Sequence, residues 1–110
     1  MIVQPGEKLH IIHRQYYEED ARRHFVGTVD KIEGNLVRLT AYLFSLGVAT
    51  NQFTRRNELR TRIISLETES IIINVLPETA TIENIRYDYV SAGHIHVTDG
   101  GDWYLDISHL

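Results

Sequence analysis

Apolar and polar positions alternate over long stretches of this chain, the two-residue period of a strand with one covered face. From Lys8 to Tyr17, Leu9, Ile11 and His13 fall on one side, and His10, Ile12 and Arg14 on the other. Arg22 to Ile32 sets Phe25, Gly27 and Val29 against Val26 and Thr28. Asn35 to Leu46 sets Val37, Leu39, Ala41 and Leu43 against Leu36, Arg38, Thr40, Tyr42 and Phe44. The second and third segments meet at Glu33-Gly34-Asn35, where Gly34 supplies the positive φ of a tight turn. Gly27 in mid-strand marks a bulge, a bend or a close backbone approach.

Downstream the alternation is weaker. Gly47 to Leu59 reads as a long loop, a type of segment that is often functional. Arg60 to Leu66 and Ser70 to Leu76 read as a hairpin, and the run Ile71-Ile72-Ile73 predicts burial on both faces. Thr81 to Arg86 has room for one helical turn. Tyr87 to Val90, Ile95 to Thr98 and Trp103 to Ile107 are short strands, the last two joined through the turn Asp99-Gly100-Gly101-Asp102. No segment sustains a helical period. The expected class is all-β: one domain over residues 1–110, a small, strongly bent barrel with a short helix and a C-terminal hairpin.

Composition narrows the setting. Cysteine is absent, which removes disulfides, thiolate nucleophiles and cysteine-based zinc sites and fits a cytoplasmic protein. No apolar run is long enough to span a membrane, and MIVQPGEKLH has no signal-peptide character. Charge is uneven: residues 1–62 carry ten Lys/Arg and seven Asp/Glu, residues 63–110 one Lys/Arg and eight Asp/Glu, for a net −4. Such halves either meet different partners or attract each other, within or between subunits.

Phe25-Val26-Gly27-Thr28-Val29, followed by Gly34-Asn35-Leu36-Val37-Arg38-Leu39, resembles the first signature of Sm-like proteins. There a strand with a hydrophobic–x–Gly–hydrophobic pattern bends sharply, and a turn leads to Asn and a hydrophobic strand. Gly27, Thr28, Val29, Asn35, Leu36, Val37 and Leu39 fit in kind; the resemblance covers residues 25–39. It implies a strongly bent five-stranded SH3-like barrel whose subunits pair edge strands into a ring that binds single-stranded RNA.

Arg55, Arg56, Arg60 and Arg62 concentrate positive charge, with Glu58 among them. Phe53 stands beside the cluster, and Tyr42 lies on the preceding strand. Cations that hold phosphates and rings that stack on bases are the chemistry of single-strand binding. The same arginines would equally serve to pair with acids of residues 63–110.

His94-Ile95-His96 places two imidazoles on one strand face, a pattern similar to the His-x-His of metal-binding cupin barrels. Asp99, Asp102 and His109 are the acids and imidazole near enough in sequence to join them. The cupin glutamate is absent. No G-x-S-x-G, Walker or G-x-G-x-x-G loop is present. His24, beside Arg22 and Arg23, reads as part of a basic patch or as solvent-facing.

The leading expectation is therefore a non-enzymatic module without cofactor, self-associating through its edge strands and binding single-stranded RNA. The alternatives are a structural oligomer without nucleic acid and a cupin-type metal enzyme.

Overall fold

The computed structural model describes residues 2–13, 23–47, 50, 52–67, 71–91 and 93–107. Tyr16, Tyr17, the acidic run 18–20 and His109 lie outside these residues. The fold is all-β with antiparallel sheets and one turn of 3-10 helix at Ile82–Asn84. Packing divides the chain into two compact units, Met1–Leu76 and Pro77–Leu110, beside the single domain read from the sequence. No helix among the described residues is long and apolar enough to cross a membrane.

The first unit is a six-stranded sheet. Its strands are β1 (Lys8–His13), β2 (Arg23–Glu33), β3 (Leu36–Leu46), β4 (Phe53–Arg55), β5 (Arg60–Ser65) and β6 (Ile71–Val75). β2 and β3 form the long hairpin read from the alternation, turning at Gly34 with φ of 57°. β1 lies between β2 and β6. Along its outer edge β3 receives β5 at residues 36–41 and β4 at residues 44–46.

Two expectations are corrected here. The 47–59 segment is not wholly loop: Phe53–Arg55 pairs with the end of β3. β5 and β6 do not pair as a hairpin, because β5 joins β3 and β6 crosses to β1. A turn signal shows where a chain reverses but not which neighbour it then meets.

The sheet curls. Ile64 of β5 and Ile71 and Ile73 of β6 come from opposite ends of the strand order, yet all pack on one buried cluster. That cluster is Val3, Leu9, Ile11, Val29, Val37, Leu39 and Ala41. No ladder joins β5 to β6 among the described residues, so the curled sheet remains open there.

Gly27 lies opposite both Leu9 and Ala41. A Cβ at Gly27 would stand 2.6 Å from Ala41 Cα and Cβ and would strike the Thr40 carbonyl. Close backbone approach is thus the reason for the glycine. The bulge falls instead between Val29 and Lys31, leaving Asp30 without a cross-strand partner. The extra residue reverses parity, so Ile32 points to the core although it is an odd number of residues from Val29. Arg38 donates to Asp30 at 2.7 Å beside the bulge.

The second unit is a three-stranded meander of β7 (Arg86–Ser91), β8 (His94–Thr98) and β9 (Leu105–Asp106). Val97 is fully buried between Tyr87 and Leu105. Burial, with Tyr89 adding to it, pushes the Tyr87 phenol well above its usual range.

Candidate functional site

The arginine cluster does not form one patch. Arg55 ends β4 opposite Phe44, and its guanidinium lies 4.9 Å from the Tyr42 ring centroid. Phe53 turns elsewhere: its ring lies 4.4 Å from that of His24. Arg56 follows β4, exposed, and donates its backbone N–H to the Leu43 carbonyl at 2.8 Å. Arg60 and Arg62 belong to β5, opposite Ala41 and Leu39 on the core-side face. Arg60 donates through Nε to Glu58 at 2.9 Å, and its charge and hydrogen bond hold that exposed carboxyl below its usual range. Arg62 lies 4.9 Å over the Phe25 ring, with its Nε buried and making no hydrogen bond.

Strand parity explains this division. Arg55 and Tyr42 share the sheet face that carries Phe44, whereas Arg60 and Arg62 follow the face of Leu39 and Ala41. Glu58, which takes Arg60, belongs to the same connecting segment rather than to residues 63–110. What remains on the Phe44 face of the sheet is a half-buried guanidinium over a half-buried phenol, with the exposed Arg56 next in sequence. A guanidinium over an aromatic face binds an anion while the ring offers a stacking surface.

In the second unit, His94 and His96 converge on an acid the sequence reading did not include. His94 Nδ1 is 3.4 Å and His96 Nε2 3.8 Å from the same Asp106 Oδ2. The signal was in the β8–β9 hairpin register, which sets His96 opposite Asp106. Asp88 faces His96 from the other side, and its carboxylate accepts from Arg86 Nε at 2.9 Å. The His96 ring is stacked on Tyr104, with centroids 4.0 Å apart and planes 8° from parallel.

Asp99 is not available to this group. It accepts the backbone N–H of Thr81 and that of Gly101, each at 2.8 Å, and these bonds hold its carboxyl below the usual range. Asp102 lines a shallow cleft with Arg86, Asp88, His96 and Tyr104. No set of three or more His, Asp or Glu side chains among the described residues is arranged to hold a metal ion.

A buried polar group was missed altogether. His10 and His24 lie within the protein, 0% and 5% exposed, on the sheet face opposite the main apolar cluster. His24 is therefore neither part of a basic patch nor solvent-facing, which corrects the reading from its arginine neighbours. Its in-register partners are Ile12 and Phe44, and those strand contacts, not Arg23 beside it in sequence, set its surroundings.

No family model, no curated protein and no solved structure matches this chain.

Proposed function

We propose that this chain is a binding module that assembles with copies of itself through β5 and β6 and uses the Arg55–Tyr42 stack to contact single-stranded RNA. The observation that carries the reading is the pair of sheet ends. β5 and β6 are each hydrogen-bonded along one side only among the described residues. Both carry exposed apolar side chains, Ile63 at 66% and Val75 at 58% exposure. An unpaired strand with exposed apolar residues is a template for strand addition.

β5 of one copy beside β6 of the next is a head-to-tail contact, and such contacts close into rings when the rotation permits. The strand order supports the likeness to an open Sm-like barrel: β1, β2, β3 and β5 follow as a meander and β6 returns to β1. In a ring, one Arg55–Tyr42 stack per subunit multiplies a weak contact by avidity. A structural oligomer without nucleic acid is favoured by a different observation: Arg60 and Arg62 are occupied within the subunit, by Glu58 and Phe25.

One paired measurement separates these readings. Light scattering should give a mass well above 12.7 kDa that persists in high salt. Fluorescence anisotropy with short poly-U and poly-A should show binding that weakens steeply with salt, through counterion release. The double change Arg55→Ala, Arg56→Ala should weaken that binding by more than about tenfold with the mass unchanged. A monomer at micromolar concentration would overturn the assembly. Absence of binding at low salt would end the RNA reading and leave the structural oligomer.

A further inference from the structure

Three polar side chains from β1, β2 and β6 meet on the sheet face opposite the main apolar cluster. His10 Nε2 lies 3.2 Å from His24 Nδ1, and the Asn74 amide nitrogen lies 3.3 Å from His10 Nδ1. An amide nitrogen only donates, so His10 Nδ1 accepts and the His10 proton sits on Nε2. That N–H donates to His24 Nδ1, which leaves the His24 proton on its own Nε2. Both rings are neutral in this arrangement. They meet edge to face at 5.0 Å, and Phe53 covers His24 from β4.

From this geometry we infer that the Asn74–His10–His24 chain is an acid-sensitive lock on edge strand β6. His10 already has one nitrogen donating and one accepting, and His24 accepts through Nδ1. A further proton on His10 would point its Nδ1–H at the Asn74 amide donor. A further proton on His24 would point its Nδ1–H at the His10 N–H. Either event sets two donors face to face and breaks a link of the chain.

The surroundings oppose the charge as well. Strand register puts Lys8 of β1, Tyr42 of β3 and Arg55 of β4 on the same face, with Arg38 at its far end tied to Asp30. The carboxylates that the described strands bring to this face are that Asp30 and Glu33, and Glu33 stands with Lys31 at the turn end of β2, opposite Leu36 and Arg38. Burial alone lowers the His10 pKa to about 4. Among the described residues β6 is paired only with β1, and Asn74 is directly opposite His10 in that ladder. Breaking the chain therefore loosens the end strand before the central ones. Release of an assembly built on β6 is a consequence that rests on the proposed function; the lock itself does not.

Imidazole nitrogen shifts at neutral pH should report His10 and His24 both protonated on Nε2, and a proton on His10 Nδ1 would overturn the inference. Hydrogen exchange, corrected for the intrinsic rate, should then be followed from neutral pH to about pH 4, where His10 titrates. Amides 71–75 should lose protection about tenfold more than amides 37–41 of β3 as local opening outpaces global opening. The double variant His10→Leu, His24→Leu should abolish that difference. A uniform loss in the native protein, or the same difference in the variant, would overturn the lock. If the variant does not fold, titration of the native His10 imidazole near the ordinary histidine value would overturn it equally. Light scattering on the same samples tests the assembly separately: a monomer at neutral pH refutes the ring, while the exchange data still decide the lock.

Discussion

On one face of the main sheet, Leu9, Ile11, Val37 and Leu39 are shut away from water beside Val29 and Ala41. On the other face, Val26 and Phe44 are as deeply buried, but so are His10 and His24. The first face needs only shape, because apolar burial is non-directional and any close-packed set of similar volume satisfies it. The second must also satisfy every ring nitrogen it removes from water, since an unpaired buried polar group costs free energy of the order of a whole hydrogen bond or more. The apolar face is therefore tolerant of pH and sensitive to volume. The histidine face reverses both properties.

Volume is the larger lever. Leu39 is fully buried in the apolar cluster, opposite Val29 and Arg62. Leu39→Ala should cost about 2–5 kcal/mol, the lost transfer energy plus the cavity it leaves. Urea unfolding at neutral pH checks this. A loss below about 1 kcal/mol would mean that the apolar face collapses readily around a missing side chain.

Acid should act on the other face. His10 titrates at about 4 in the folded protein against 6.5 when unfolded. Between those values the unfolded chain binds more protons, so stability falls as pH falls. The contribution of the neutral ring is complete above 6.5 and is lost by about pH 4. At roughly 1.4 kcal/mol per unit, that window is worth about 3 kcal/mol. Unfolding free energies measured across it should decline steeply in the native protein and less in His10→Leu. Identical slopes would remove the contrast between the two faces.

The smallest of these effects sharpens the comparison at the backbone. Gly27 sits on the apolar face where β2 and β3 approach most closely. Gly27→Val should destabilise by about 1–3 kcal/mol through overpacking, with no change in the pH profile. Thermal unfolding at neutral and at mildly acidic pH reads both. An unchanged melting temperature would show that the neighbouring strand moves aside without cost.

The apolar face was legible because its information is local. A two-residue alternation in Lys8–His13, Arg23–Glu33 and Leu36–Leu46 specifies which side chains share a side, and Gly34 specifies where the chain reverses. The same alternation placed Tyr42 and Phe44 together and His94 and His96 together. It separated Arg55 from Arg60 and Arg62 only once β4 and β5 had been recognised as distinct strands. One linear run of arginines thus became a stacked pair with Tyr42, an ion pair with Glu58 and a ring contact with Phe25.

By itself, then, the sequence determined the all-β class, the long β2–β3 hairpin and the shared faces of β1, of β3 and of β2 as far as its bulge, because period and turn chemistry act over a few residues. Only the tertiary structure decided that β6 returns to β1, that His10 meets His24 and Asn74, and that Asp106 stands between His94 and His96. His10 and Asn74 are 64 positions apart, and no local preference encodes their meeting. It follows from which strands could bury the most apolar surface after paying the entropy of closing so long a loop.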